Sequence, residues 1–313
     1  MLAYAACVLA GLLLPTLAPA LLRAVSAFPR EIYGDDDADA LLLNIDEPRS
    51  RWFNMGYWTA RPRTTFPEAA AELCRRVALA AGLSSGQRVC EVGYGSGEST
   101  LLLEREFAPA SYLGYTSLAR EQRAAVLRAN REGIDQDRFE LRQGDAVQEL
   151  AQLPPGSFDA VLAVDCAYHF NTRTSFLSSA HRILAPSGSL ALTDLLLPHS
   201  LPWHDLVLLR LLFYLAGCPF SNFVSPATYR AQLVAAGFDA SSIELHDISA
   251  DVWPGFCAFV QGRDKSMGAV LGKGWRALVW YAKVVEWYSG AGGGTQKLGF
   301  YLISARKKAD KAE

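Results

Sequence analysis

The stretch Arg88–Gly97, which reads RVCEVGYGSG, decides the fold of this 313-residue chain. Apolar residues typical of a buried strand lead to the acidic Glu91. Glycine then stands at every second position, at Gly93, Gly95 and Gly97, before a helical pattern begins. Glycine is favoured where a ligand must approach the backbone so closely that a Cβ atom would clash. The segment therefore predicts a strand, a cofactor-binding turn and a helix, although three spaced glycines alone also fit an ordinary tight turn.

Composition excludes several classes of function. The net charge is −2 and only 20% of the residues are charged, so no basic face for nucleic acid is indicated. The six cysteines include no CxxC pair and the five histidines no HExxH spacing, which argues against a metal site. Scattered cysteines also fit a reducing compartment.

The N-terminus differs in kind from the rest of the chain. No charged side chain occurs from Met1 to Leu22, and as a helix this run would span ~33 Å, close to the thickness of a bilayer core. Because Arg23 and Arg30 follow it, we expect residues 1–27 to anchor a cytosolic catalytic body to a membrane, of endoplasmic-reticulum type if the source is eukaryotic. A cleaved signal peptide ending near Ala27 and a monotopic apolar hairpin remain alternatives.

Beyond the anchor, residues 28–66 form a linker and an N-terminal cap, and residues 67–313 show alternating strand and helix patterns. Alternation of this kind predicts an α/β fold with a doubly wound parallel sheet. Such sheets bind ligands at the carboxyl ends of their strands, where the glycine turn would lie. Seven strands are predicted, at 87–92, 111–115, 138–142, 158–164, 188–194, 243–248 and 298–305. One aromatic-rich helix is expected between the last two.

An apolar segment at 197–224 interrupts this alternation. It is too short, and too punctuated by Pro198, Pro202 and Pro219, for a confident membrane span. Because it follows the carboxyl end of a strand, we interpret it as a lid over an apolar pocket. A membrane-surface helix and an ordinary buried helix are the alternatives.

The ordered motifs resemble those of class I S-adenosylmethionine-dependent methyltransferases, in particular the sterol-, tocopherol- and cyclopropane-synthase-like branches. Glu91–Gly97 is similar to their E/D-x-G-x-G-x-G motif, whereas Glu98 stands where the nicotinamide pattern requires its last glycine. The segment around Thr116 resembles the GxTxS…Q motif of these branches. In this chain either Glu121 or Gln122 can take the place of the glutamine. The resemblance covers about Arg51 to Lys307.

The resemblance implies a Rossmann-like methyltransferase fold and the cofactor S-adenosyl-L-methionine. The cofactor-binding residues that it implies are Tyr57, Glu91, Gly93, Gly95, Gly97, Thr116, Gln122, Asp145, Ala146 and Asp165. His169, which follows the fourth strand, is the candidate general base or substrate orienter, and Tyr168 is a candidate to steady a cation through its ring. A structural role is the alternative for both.

The apolar anchor and lid suggest a lipophilic acceptor such as a sterol, an isoprenoid, a quinone-like ring or a lipid. The sequence therefore predicts a membrane-associated methyltransferase for a hydrophobic small molecule, with no metal, no nucleic-acid partner and an undetermined oligomeric state. Two rivals remain at this point. One is a cofactor-binding scaffold subunit without catalysis, and the other is a nicotinamide oxidoreductase.

Overall fold

The computed structural model describes residues 43–59, 64–267, 273–290 and 293–309. Seven strands form one sheet in the order β3-β2-β1-β4-β5-β7-β6. The strands are β1 (Arg88–Val92), β2 (Ser111–Thr116), β3 (Phe139–Gln143), β4 (Phe158–Ala163), β5 (Leu184–Leu196), β6 (Glu244–Asp247) and β7 (Gly299–Arg306). The helices are α1 (Phe66–Ala80), α2 (Glu98–Phe107), α3 (Ala119–Arg131), α4 (Ala146–Gln152), α5 (Arg173–Ile183), α6 (Trp203–Leu215), α7 (Pro226–Ala235), α8 (Ser249–Met267) and α9 (Lys273–Ser289).

The predicted strand–helix alternation is confirmed, and the fold is the Rossmann-like methyltransferase fold. Strands β1 to β5 pair in parallel, so their carboxyl ends meet at one edge of the sheet. Cys90 and Val92 of β1 are fully buried, as expected for a central strand covered on both faces. The glycine turn after β1 therefore lies at the switch point, between β2 on one side and β4 on the other.

The alternation up to β5 predicted a parallel sheet, but the sheet as a whole is mixed, because β7 runs antiparallel to both β5 and β6. Two helices, not one, connect β6 to β7. They fold back on each other: Trp275 Nε1 donates to Asp264, and the Cys257 thiol donates to the Ala282 carbonyl. A pair of antiparallel helices returns the chain to the end of the sheet that it left, so β7 must run in the opposite direction.

The sequence pattern missed α8 because Pro254 and Gly255 stand inside it, and both residues normally weaken a helix. Gly255 has a packing role. A Cβ atom at this position would lie 2.1 Å from Cγ of Trp58, so the absence of a side chain lets the indole rest directly on the helix. The Trp58 amide also donates to the Asp251 carbonyl at 2.7 Å.

These contacts place the N-terminal cap between two helices. The Tyr57 amide donates to the Ala69 carbonyl of α1 at 2.8 Å, and the Asn54 side chain donates to the Ala70 carbonyl at 3.0 Å. Held by α1 on one side and by α8 on the other, the cap crosses the carboxyl ends of β1 and β4. The predicted anchor at 1–27 lies outside the described residues, and no helix within the described ranges is long and apolar enough to span a bilayer.

Two glycines of α8 provide a matched test of this packing. Alanine in place of glycine inside a helix ordinarily stabilises it by about 1 kcal/mol. We expect Gly262→Ala, where nothing lies within 4 Å of the new Cβ, to follow that rule. Gly255→Ala should instead destabilise the protein by about 1–3 kcal/mol, because the methyl group collides with Trp58. Urea unfolding of both variants measures the difference, and equal stabilities would refute the packing role of Gly255.

Candidate active site

A cavity of about 390 Å³ opens at the carboxyl ends of β1, β2 and β4, which is within the usual range for small-molecule sites. We call it the cofactor cavity. Its lining includes many of the residues that the sequence singled out, namely Glu91, Gly93, Gly95, Thr116, Asp145, Ala146, Asp165 and His169. The elements that meet here are the glycine turn, the ends of β2 and β4, the start of α4 and the cap.

The glycine turn brings bare backbone to the cavity. Gly93 has φ = +84°, and a Cβ atom there would lie 2.5 Å from Sγ of Cys166, in the loop after β4. The Gly93 amide donates to the Tyr115 carbonyl of β2 at 2.7 Å, which fixes the turn against the neighbouring strand. No side chain fits between Gly93 and Cys166, so the turn packs directly against the β4 loop.

Glu91 supplies a buried carboxylate at the end of β1. Only 1% of the residue is exposed, its Oε2 accepts a hydrogen bond from the Tyr112 hydroxyl, and its Oε1 has no partner. Burial raises the pKa of Glu91 to about 7, against the opposing effects of the nearby Tyr112 and Ser99 hydroxyls. A buried carboxylate oxygen without a partner requires a donor, and an ammonium group or a sugar hydroxyl meets that need.

Asp165 lies opposite, directly after β4, with φ = +55°. Its Oδ2 accepts from the Met55 amide of the cap at 2.7 Å, and its Oδ1 accepts from the Tyr168 hydroxyl at 3.0 Å. Burial raises the pKa of Asp165 to about 7, although both donors favour the ionised form. The carboxylate thus joins the cap to the loop that carries Tyr168 and His169.

The structure distinguishes the two candidates for the glutamine position, Glu121 and Gln122, which follow β2. Thr116 and Glu121 line the cofactor cavity, and Glu121 is buried, where it accepts from the Ser96 hydroxyl and from Nε of Arg120 at 3.1 Å. Gln122 does not line the cavity; its amide donates to the Leu141 carbonyl at 3.3 Å. The structure therefore favours Glu121 over Gln122, because one residue of helix turns a side chain by about 100°.

Asp145 and Ala146 begin α4 at the far side of the cavity. Asp145 is the N-cap, and its Oδ1 accepts from the amides of Val147 at 2.9 Å and Gln148 at 3.1 Å. This arrangement fixes the carboxylate at the rim, where an exocyclic amino group of a base can donate to it.

Besides Gln122, two more residues that the resemblance implied lie outside the cofactor cavity. Gly97 is the N-cap of α2 with φ = +87°, and a Cβ atom there would meet Ala125 of α3, so its role is to allow close helix packing. The ring of Tyr57 lines a separate groove beside α1, with the Arg76 guanidinium 4.5 Å above it. The cap residues that line the cofactor cavity are Arg51, Trp52, Phe53 and Asn54, none of which was predicted to bind the cofactor.

A second, apolar compartment of about 40 Å³ adjoins the cofactor cavity and shares Phe53, His169 and Ala216 with it. Among the described residues that line it, none is charged. Its other lining residues are Leu43, Met55, Phe66, Tyr168, Leu195, Phe213, Cys218, Phe256, Leu278 and Tyr281. The predicted catalytic residues Tyr168 and His169 therefore both face this compartment.

His169 is held between the two spaces. Its Nδ1 lies 3.3 Å from Sγ of Cys218, and the ring centroid of Tyr168 lies 4.5 Å from its own. Burial lowers the pKa of His169 to about 4, so the imidazole is neutral at pH 7. A neutral imidazole at the boundary between the two spaces can accept a proton from a hydroxyl group.

The sequence from residue 65 to 243 matches the family described as "Methyltransferase domain". This match covers more than half of the chain. The chain belongs to that family. Its members include the class I S-adenosylmethionine-dependent enzymes, and the protein is such a methyltransferase, with S-adenosyl-L-methionine as its cofactor. Family membership decides against the nicotinamide oxidoreductase and against the scaffold without catalysis.

Relatives of this methyltransferase act on different small molecules. It is 34% identical to the erythromycin 3''-O-methyltransferase of Saccharopolyspora erythraea over 212 residues, which are 64% of this chain and 67% of that one. It is 37% identical to the fatty-acid O-methyltransferase of Mycolicibacterium smegmatis over 109 residues, 35% and 37% of the two chains. The structure is also similar to a cyclopropane synthase of Mycobacterium tuberculosis, with a TM-score of 0.66, 15% identity and coverage of 90% and 98%. At this identity the structural likeness shows the fold alone.

The cofactor cavity fits S-adenosylmethionine on two independent grounds. Glu91 Oε1 is a buried acceptor without a partner, and the cofactor carries an ammonium group and ribose hydroxyls. Gly95 of the turn, with φ = +54°, lines the cavity without a side chain of its own, so the cofactor can lie against the backbone there. When bound, the cofactor supplies a methyl group on a positively charged sulfonium, and the two buried carboxylates, Glu91 and Asp165, surround the cavity with compensating negative charge.

Glu121 and Gln122 form a matched pair for a binding test. We expect Glu121→Gln to raise the Kd of S-adenosylhomocysteine about 10–100-fold, as for the loss of a hydrogen bond to a buried charged group. Gln122→Ala should change it less than about 3-fold, because this side chain is outside the cavity. Isothermal titration calorimetry compares them, and the reverse ranking would restore Gln122 as the contact.

The raised pKa of Glu91 predicts a pH dependence of stability. Folding raises this pKa from 4.5 to about 7. Protonated Glu91 therefore contributes fully to the stability of the folded state below pH 4.5, and this contribution is lost as the pH rises through 7. In the absence of cofactor, Glu91→Gln should therefore gain stability relative to wild type across this window, by as much as ~3 kcal/mol. Urea unfolding at several pH values measures it. A constant difference between the two proteins would show that Glu91 does not titrate there.

Proposed function

We propose that this methyltransferase transfers the methyl group of its cofactor to a hydroxyl group of a lipophilic small molecule at a membrane. Sterols, isoprenoids, quinone-like rings and lipids are the acceptor classes. The observation that carries the proposal is the apolar compartment, which lies against the cofactor cavity and has His169 at the boundary. Its uncharged lining suits an apolar acceptor and would penalise a charged one, since a buried charge requires a partner.

The reaction depends more on the positioning of its reactants than on covalent catalysis by the protein. Methyl transfer is an in-line displacement, and holding the nucleophile close to the donor carbon in a dry site supplies most of the acceleration. Phe53 and Ala216, which separate the two spaces, would set the depth at which the acceptor stops. The cap residue Met55, hydrogen-bonded to Asp165, would keep water out.

His169 would accept the proton that the acceptor hydroxyl loses. Its imidazole is neutral at physiological pH, and the nearby thiol of Cys218 holds the ring in place through Nδ1. Tyr168 would act through its contact with His169 and through its hydrogen bond to Asp165, as a positioning residue. The names of the two relatives, both O-methyltransferases, support oxygen as the methylated atom.

The 197–224 segment would be the lid of the acceptor compartment. Phe213 of α6 lines the compartment and stacks on Phe223 with their ring centroids 3.5 Å apart. A volume of about 40 Å³ holds little more than one water molecule, so the acceptor would enter only when α6 moves. Residues 1–27 would anchor the catalytic domain on the cytosolic side of a membrane, where a lipophilic acceptor is concentrated.

Incubation with labelled cofactor and an extract of membrane lipids tests the proposal. We expect label in a lipid-soluble product, and identification of that product names the acceptor. If no extract takes up label from the cofactor, the lipophilic acceptor is refuted.

His169→Asn tests the proton acceptor in the same assay. We expect kcat to fall about 10²–10⁴-fold, the usual contribution of a general base, with little change in the Kd of S-adenosylhomocysteine. His246→Asn, at an exposed histidine on β6, is the control and should leave kcat unchanged. A His169→Asn variant with near-normal kcat would assign His169 a structural role.

A further inference from the structure

Helices α6 and α9 expose an unusual number of large apolar side chains. Trp203 and Tyr214 of α6 are each 77% exposed, and Trp287 of α9 is 52% exposed. The exposed apolar residues that form this surface, which we call the α6–α9 face, are Trp203, Val207, Leu208, Leu211, Tyr214, Trp280 and Trp287. Contiguous exposed apolar residues indicate an interaction surface, whereas single ones do not.

The exposed stripe of α9 alternates aromatic and cationic residues. Arg276, Trp280, Lys283 and Trp287 follow at intervals of four, three and four, so they lie on one side of the helix, and all four are exposed. Arg210 is the exposed cation of α6. Tryptophan beside lysine and arginine is the composition of segments that lie at a membrane surface, where indole rings occupy the headgroup level and cations meet anionic lipids.

The N-terminal turn of α6 contacts the C-terminal end of α9. The Tyr288 hydroxyl donates to the Asp205 carbonyl at 3.4 Å, and Lys297 lies 2.8 Å from the Asp205 carboxylate and 4.1 Å from the Trp287 ring centroid. Between the helices lies a further apolar space of about 40 Å³, which we call the seam. Its lining includes Leu212, Phe213 and Ala216 from α6 and Trp280, Tyr281 and Val284 from α9.

The seam leads toward the methyl donor. It shares Phe213, Ala216 and Tyr281 with the acceptor compartment, and that compartment in turn shares Ala216, Phe53 and His169 with the cofactor cavity. A line of apolar spaces therefore runs from beneath the exposed Trp280 to the cofactor cavity. Phe213 and Tyr281 lie between the seam and the acceptor compartment, and Phe53 and Ala216 lie between that compartment and the cofactor cavity.

We propose that the α6–α9 face docks on a lipid bilayer that carries anionic headgroups, and that the acceptor enters from this bilayer through the seam. This inference rests on the lipophilic acceptor of the proposed function. The position at which the N-terminal segment joins the described structure favours a bilayer over a protein partner. Leu43, the first described residue, lines the acceptor compartment together with Leu278 and Tyr281 of α9. Residues 28–42 can span at most ~50 Å, so the apolar run at 1–27 and this face can reach the same membrane.

The distribution of tryptophan gives a specific readout. All seven tryptophans lie at or beyond Trp52, so the N-terminal apolar run contributes none of the emission. The full chain is bound to vesicles of dibrominated phosphatidylcholine and phosphatidylserine, in which bromine quenches only indoles that enter the bilayer. We expect loss of the emission of Trp203, Trp280 and Trp287. Replacing these three by phenylalanine should remove the quenchable component.

Two further variants test docking itself. Val207→Glu combined with Leu211→Glu places charges on the face without touching the cavities, and quenching should be lost. Leu127→Glu on α3, at a leucine that is 67% exposed, is the matched control and should leave quenching intact. Unquenched emission from the wild-type chain, or quenching that survives Val207→Glu with Leu211→Glu, would overturn the proposal. So would a dimer that this double variant dissociates, because the face would then be a protein interface.

Measuring methyl transfer in detergent distinguishes a failure of this inference from a failure of the proposed function. Relative to the wild type, the double variant should lose at least about 10-fold more in rate with the extract in vesicles than with the extract dispersed in detergent, for a contact worth ~1.4 kcal/mol. If the extract in detergent is methylated but the vesicles do not quench the tryptophans, membrane docking is refuted and the lipophilic acceptor is not. Quenching without transfer to any extract would refute the lipophilic acceptor alone.

Discussion

The carboxylate of Asp165 is the point on which the site depends. It accepts from the Met55 amide at 2.7 Å and from the Tyr168 hydroxyl at 3.0 Å, while its own amide donates to Thr193 Oγ1 of β5 at 2.8 Å. Cap, catalytic loop and sheet therefore meet at one residue. Without this acceptor, the buried Met55 amide would lose its partner, and the cap would have to move to recover one from water.

The same burial that closes the site also determines its charges. Desolvation raises the pKa values of Glu91 and Asp165 to about 7 and lowers that of His169 to about 4. All three shifts favour the neutral form, as expected for groups withdrawn from water. A sulfonium ligand would reverse the balance for the two acids, because a nearby positive charge stabilises a carboxylate. The imidazole would remain neutral, since a positive neighbour opposes its protonation.

The position of the cavity could be predicted where the fold alone decides it. In a parallel sheet, residues that follow β1, β2 and β4 must gather at one edge, and Glu91, Thr116 and Asp165, which the resemblance implied, line the cavity there. The prediction failed where the direction of a side chain determines whether it reaches the cavity. Gln122 is one helical position from Glu121 and turns away, and the cap presents Phe53 where Tyr57 was expected.

Tertiary contacts account for the other differences. Pro254 and Gly255 weaken the helical pattern of α8, yet Gly255 is favoured there by the indole of Trp58, which no local pattern contains. The antiparallel β7 follows from the undetected helix, because one helix between β6 and β7 would have left it parallel. The apolar segment at 197–224 satisfied the sequence criteria for a lid, a surface helix and a buried helix alike. In the structure α6 buries Leu209 and Phe213 and exposes Trp203 and Tyr214.

This division of α6 makes its movement the natural way to open the site. Lifting α6 would expose Leu209, Phe213 and the apolar residues beneath them, and a membrane would cover the part of the helix that is exposed already. The movement would also draw Cys218 away from Nδ1 of His169 and admit water to the imidazole. Since burial is what lowers the pKa of His169, the group would return toward its ordinary pKa of 6.5 in the open state. Closure over an acceptor would therefore remove the remaining protonated fraction of the histidine, while making the imidazole a weaker base.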